Sequence, residues 1–258
     1  MGDTEILRWS AGRFAVEEWC DVNPGEVRVA DSFLILDGGV VGFDKHLERF
    51  SRSVHEHDPE FDPVAFRRGL VDALPKEGAW FPRVESVDYG NGHLVRLLIR
   101  ADPPRETTVS VATARSDPRR FPRVKGPDLQ RLGALRRETN PSAGEAVIVA
   151  DGDIAEGAWS SIVWWEDGIL HRVSEDISRL DGVTESVIVE LAKHLGAPVV
   201  SARRTPAQLE GCEVWVLSAL HGIRVVTEWI DGPTVLAEPG RADFWRTTYE
   251  TQRFMLEL

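Results

Sequence analysis

The chemistry open to a chain depends on which side chains it uses, and this chain uses lysine sparingly. Its 30 basic residues include only four lysines, Lys45, Lys76, Lys125 and Lys193, the rest being arginine. A lysine amine can lose its proton when desolvated and condense with a carbonyl to form an imine, which a guanidinium cannot do. Lys45, Lys76 and Lys193 fall on expected helix surfaces or loops, where a solvated charge is reason enough for a lysine. Lys125 lies between Val124 and Gly126-Pro127, at the entry to a second run of elements. By position alone it stands open between a surface charge and an imine-forming amine.

Other chemistries find little support. No G-x-G-x-x-G, P-loop, H-E-x-x-H, EF-hand or G-x-S-x-G pattern occurs. The seven histidines form no i, i+4 pair on an expected helix, and Cys20 and Cys212 are far apart, so no metal site is expected. Two isolated cysteines suit a reduced, cytoplasmic setting. The net charge of -12 with scattered bases argues against a nucleic-acid partner. A small anion can still be met by one locally basic pocket. The opening MGDTEILRWSAGRF lacks a basic start followed by an apolar stretch, and no run nears the ~20 apolar residues of a span, so no membrane partner is expected.

The elements that must carry any site can be read from periodicity. With 42% apolar and 28% charged residues the chain is globular, and its length allows one large domain or two ordinary ones. Residues 5 to 9 and 13 to 19 suit an opening hairpin. Val27 to Leu36 is a β-rich run, closed by the turn Asp37-Gly-Gly39. A helix then follows, with Asp44 as N-cap and Leu47, Phe50 and Val54 at helical spacing. A second has Pro63 in its first turn and Phe66, Leu70 and Val71 on one face. Strands are expected again near 83 to 87, 93 to 100 and 107 to 112. The polar stretch 115 to 122 carries two prolines and reads as an interdomain connection, with a boundary near 118. Beyond it come helices at 128 to 138 and 185 to 195, strands at 145 to 150, 161 to 165, 169 to 173, 213 to 218 and 222 to 230, and a final helix from about 241.

The second half carries a longer pattern. In ADGDIAEGAWSSIVWWEDGIL and SRLDGVTESVIVELAKHLG, the pairs Glu156-Gly157 and Asp167-Gly168 precede Leu180-Asp-Gly-Val-Thr184. The first half offers VADSFLILDGGVVGFDKHLERF, with a D-G turn and His46-x-x-Arg49 on the following helix. Content and spacing together resemble the class IV aminotransferase family over about residues 27 to 230. That resemblance implies the two-domain α+β architecture of pyridoxal 5'-phosphate (PLP) fold type IV. A small N-terminal α/β domain, 1 to 118, would precede a larger β-rich pseudo-barrel domain, 119 to 258, with the cofactor in the cleft between them. It also implies a homodimer acting on a small amino-acid-like substrate.

The family's residue roles carry over position by position. Lys125, 31 residues before Glu156, matches the Schiff-base lysine, which also moves a proton at the substrate Cα. Glu156 matches the carboxylate that faces the pyridine nitrogen, so that the ring can act as an electron sink. Arg49 matches a phosphate-binding arginine. Gly182, Val183 and Thr184 open a helix whose free N–H groups and dipole favour the same phosphate, and Thr184 could equally be an ordinary N-cap. Ser218, in Ser218-Ala-Leu-His-Gly222, is the hydroxyl left at the strand end where relatives close the phosphate site.

Specificity is read from departures. Lys125-Gly-Pro-Asp128-Leu has no tyrosine after the lysine, Ser161 replaces a usual Asn, and Glu185 follows Thr184 where Arg is common. The chain thus departs from branched-chain aminotransferases and more closely resembles 4-amino-4-deoxychorismate lyases, which use K-x-x-N-x-L where this chain has Lys125-Gly-Pro-Asp128-Leu-Gln. Their proton-transferring hydroxyl aligns with Ser32, and a basic residue near the substrate carboxylate aligns with Arg96. Transamination between an amino acid and a 2-oxo acid is the alternative. A catalytically silent relative is a third, resting on Ala219 and the absent tyrosine.

Overall fold

The computed structural model describes residues 4–16, 25–90, 92–236, 238 and 240–256. The chain divides into two compact units. One runs through Pro104 and also takes in Val124–Pro127 and the segment from Gln252. The other comprises Arg105–Arg123 and Asp128–Thr251. Residues 115 to 122, expected as a connection, therefore belong to the second unit, and Lys125 belongs to the first.

In the first unit a five-stranded antiparallel sheet runs in the order Arg13–Val16, Glu5–Ser10, His93–Ile99, Arg83–Asp88, Glu26–Ser32. The expected hairpin strand past Val16, and Cys20, lie outside the described residues. One sheet face turns Val29, Val84, Val95, Leu97 and Leu7 into a core with Leu47, Phe50, Phe66 and Leu70. These last four come from the helices Phe43–His55 and Pro63–Ala73. Asp62 caps the second helix, accepting from the N–H groups of Val64 and Ala65 at 2.9 and 3.0 Å. The expected cap Asp44 instead lies inside the first helix, where it can still complement the helix dipole, and Gly42 precedes it. Asp37-Gly38 makes the foreseen turn, with φ of 46° and 76°, joining Ile35–Leu36 to Gly39–Val41.

The second unit is an eight-stranded mixed sheet, ordered Asp153–Gly157, Glu145–Ala150, Thr108–Thr113, Gly222–Ile230, Glu213–Ser218, Ser161–Glu166, Ile169–Val173, Val199–Ala202. It curls until its two ends meet, where Ile154 N–H donates to the Arg204 carbonyl at 2.8 Å. Both outermost strands, Asp153–Gly157 and Val199–Ala202, escaped the sequence reading because they are short and border turns. Helices Leu129–Thr139, Val183–His194 and Arg241–Glu250 complete the unit. No helix among the described residues is long and apolar enough to cross a membrane.

The last helix is fixed by tryptophan. Trp245 packs its ring 5.4 Å from Trp165 and 5.9 Å from Trp215, both on central strands. Truncating a buried indole loses its apolar contacts and leaves a cavity. Trp245→Ala is expected to destabilise the chain by about 3 kcal/mol or more, read as a lower midpoint in urea at an unchanged slope.

Candidate functional site

Four of the expected site residues lie in the first unit. The turn that carries Lys125 is seated on strand Glu26–Ser32, where Ala30 N–H donates to the Lys125 carbonyl at 2.7 Å. Gly126, with φ of +136°, allows this approach, since a Cβ there would stand 2.7 Å from the Ala30 nitrogen. One turn of helix separates His46 from Arg49, so both reach the buried Asp31. Arg49 donates from Nε and Nη2 to the two Asp31 oxygens at 2.8 and 2.9 Å, and His46 Nδ1 meets Oδ1 at 2.8 Å. The N–H of Ser32 adds a bond of 2.8 Å to the same oxygen.

Burial opposes charge on Asp31, but Arg49 and His46 outweigh it and hold the carboxyl far below its ordinary range. Burial likewise lowers the pKa of His46, against the pull of Asp31 and with the help of the nearby charges of Arg49 and Lys125. Asp31 was not among the expected site residues. The available signal was that one acid precedes a helix bearing His and Arg on one face.

Ser32 and Arg96 occupy the opposite sheet face, because side chains alternate along a strand and Asp31, Leu97 and Ile99 point towards the helices. Ser32 pairs across the strands with Arg83, and Arg96 with Glu85. Arg96 Nε donates to Glu85 Oε2 at 2.7 Å, and Arg83 Nη2 lies 2.6 Å from Oε1. Arg100 stacks over Phe81 on this face; burial, then Arg83, lowers its pKa to about 10. Two guanidiniums, those of Arg83 and Arg96, thus share one wholly buried carboxylate, and Arg100 feels it at longer range.

The second unit holds the other five. Glu156 is buried on strand Asp153–Gly157, opposite Ile148. Its Oε1 accepts from Arg119 Nη1, and Oε2 accepts from the N–H of Leu180 at 3.2 Å. Removal from water raises its pKa to about 7, against the pull of Arg119. Helix Val183–His194 begins two residues earlier than expected. Gly182, not Thr184, is its N-cap, and no side chain caps it. The N–H groups of Val183 and Thr184 therefore face outward from a helix end, as an anion requires. A Cβ on Gly182 would fall 2.1 Å from Ser161 Oγ, so a larger residue would force that hydroxyl aside where this turn lies against the strand.

After Thr184 comes the buried Glu185, bound by Arg179 at 2.7 and 2.8 Å and by Arg172 at 2.8 Å. Ser218 ends its strand and accepts from the N–H of His221 at 3.3 Å. Burial and then Arg224, Arg136 and Arg105 push the pKa of His221, in this turn, down to about 4. Among the described residues no group of His, Cys, Asp and Glu could hold a metal ion.

A family model described as amino-transferase class IV matches residues 28–229. The aminodeoxychorismate lyase of Bacillus subtilis (strain 168) is 23% identical, over 81% of this chain and 82% of that protein. Among solved structures, the T.th. branched-chain amino acid aminotransferase complexed with N-(5'-phosphopyridoxyl)-L-glutamate superposes with a TM-score of 0.82. It is 17% identical and 98% of each chain is covered. A fold IV transaminase from Curtobacterium pusillum gives 0.80 at 18% identity, covering 95% of this chain and 97% of that one. The PLP-bound form of a hypothetical aminotransferase from Mycobacterium tuberculosis gives 0.80 at 19%, covering 97% and 98%.

Each unit taken by itself has groups of the kind such a cofactor needs: the first an amine, the second a buried carboxylate and an uncapped helix end. Folded Glu156 keeps its proton up to about pH 7, whereas the unfolded chain releases it near 4.5. Between these values the folded state binds more protons, so stability falls as pH rises. Relative to Glu156→Gln, the wild type is expected to lose on the order of 3 kcal/mol across that window in urea titrations.

Proposed function

The chain belongs to the amino-transferase class IV family of PLP-dependent enzymes, and from that premise we propose that it is a 4-amino-4-deoxychorismate lyase, releasing pyruvate and 4-aminobenzoate. Bound PLP would supply an electron sink for the carbon that carries the substrate amine. Lys125 would take the aldehyde through Nζ, Glu156 would face the pyridine nitrogen, and Arg49, Gly182, Val183, Thr184 and Ser218 would hold the phosphate.

The observation that carries the lyase reading is the sheet face on which Ser32 pairs across from Arg83 and which also carries Arg96 and Arg100. A substrate with two carboxylates needs more than one guanidinium, and this face carries three, two of them on a single acid. Lys125 Nζ removes the proton from the carbon bearing the amine. The ether C–O bond then breaks, and Ser32 Oγ delivers a proton to the methylene carbon of the leaving enolpyruvyl group. The similarity to the Bacillus subtilis lyase supports the same choice. Transamination is the second reading, favoured by the family's own description, and it uses the same cofactor residues. The reading includes a homodimer, as the resemblance implies, which would elute at twice the mass of the chain, and a cytoplasmic setting, as the two isolated cysteines suggest.

Purified protein supplied with PLP is expected to show a visible band that borohydride bleaches, leaving phosphopyridoxyl on the Lys125 peptide; Lys125→Ala would lack both. Given 4-amino-4-deoxychorismate and no 2-oxo acid, it should form 4-aminobenzoate and pyruvate in equal amounts. Ser32→Ala should keep the band and lower kcat by about 100-fold or more, the usual worth of a positioned proton donor. Turnover only when a 2-oxo acid is added would replace the lyase with a transaminase.

A further inference from the structure

A carboxylate removed from water tends to keep its proton, and Glu156 is such a group. Three donors oppose that tendency: Arg119, the N–H of Leu180 and, at longer range, Arg179. They are not equivalent. Arg179 has its fork on Glu185, at 2.7 and 2.8 Å. Leu180 offers one neutral bond of 3.2 Å. Arg119 donates from Nη1 straight to Glu156 Oε1 and is itself buried, its side chain 3% exposed.

Arg119 is also held from behind. Asp117 takes its Nε and Nη2 at 2.9 and 2.7 Å, a two-point grip that leaves the guanidinium plane little freedom. The backbone beside it is pinned as well. Asp128 Oδ2 accepts the N–H groups of Arg120 and Phe121 at 2.8 and 2.7 Å from the start of helix Leu129–Thr139. With all three charged, Asp117, Arg119 and Glu156 sum to one negative charge, which is what a protonated pyridine nitrogen needs opposite it.

We propose that Arg119 is a positioning residue of the cofactor site: gripped by Asp117 and carried on a loop pinned by Asp128, it orients the Glu156 carboxylate and keeps it an anion for the pyridine nitrogen. The proposal rests on the reading of Glu156 as the cofactor's partner. It makes the stretch 115 to 122 part of the site's machinery and gives Asp128, in the lysine motif, the task of holding that stretch.

The test is pH-difference infrared spectroscopy on the full chain, with and without PLP, the Glu156 band being identified by its absence from Glu156→Gln. Without PLP the wild-type carboxyl should titrate near pH 7. In Arg119→Met the midpoint should rise by about one unit or more, so that roughly tenfold less carboxylate is present at a given pH. Arg119→Lys keeps a charge but cannot span Asp117 and Glu156 together, and its midpoint should fall between the two. With PLP bound, the visible spectrum of Arg119→Met should change with pH around neutrality where that of the wild type stays flat. A midpoint equal to the wild-type value, in whichever of the two variants folds, overturns the proposal. A wild type that takes up no PLP while Glu156 still responds to Arg119 overturns the cofactor reading and not the clamp.

Discussion

The structure rests on the pairing of buried carboxylates with arginine. Asp31, Glu85, Asp128, Glu145, Glu156, Glu185 and Glu213 are all buried, and each has a guanidinium nitrogen within 3.7 Å. A carboxylate in a poor dielectric keeps its charge only where a partner offers several donors in fixed geometry, which the arginine fork does and an ammonium does not. The scarcity of lysine follows from the same demand. In a chain that answers its buried acids with arginine, the role proposed for Lys125 meets a different one, for an amine that can form an imine.

This pairing also explains why the two halves of the expected site look different. In the first unit Arg49 lies in a bidentate pair with Asp31, so the residue assigned to the phosphate is at the same time a structural tie between the helix Phe43–His55 and the strand Glu26–Ser32. In the second unit the proposed phosphate seat is made of backbone, the uncapped helix end behind Gly182. A backbone seat asks only for the right fold, while an arginine seat must share its donors with the acid that orients it.

What the sequence made legible was whatever lies close along the chain. The Asp-Gly turns, the apolar stripes and the Leu180-Asp-Gly-Val-Thr184 run are local, and the elements they imply are present with shifts of a residue or two. The cap at Gly182 was misjudged because Thr184 has the usual capping hydroxyl, while the deciding contact, Ser161 against Gly182, comes from a strand some twenty residues earlier. Asp31 and Arg119 were missed for the same reason. Their partners sit 15 and 18 residues away for Asp31, and 37 away for Arg119, and no periodicity connects them. Arg119 was further hidden in a polar, proline-bearing stretch whose composition is that of a connection.

Glu185 shows how a departure from the family pattern can leave the electrostatics nearly intact. Where relatives often carry Arg after the threonine, this chain has an acid, and an acid in the first turn of a helix competes for the potential that would attract a phosphate. Glu185 does not face that potential alone. Arg179 and Arg172 both bind it, and the three together carry one positive charge, the same sign and size as a single arginine. The nearby Glu175 meets Arg172 from a largely exposed position, where solvent and salt screen it. The helix end thus keeps a net attraction for an anion while gaining a buried, hydrogen-bonded tie between the strand Ile169–Val173, the loop at Arg179 and the helix that bears Thr184.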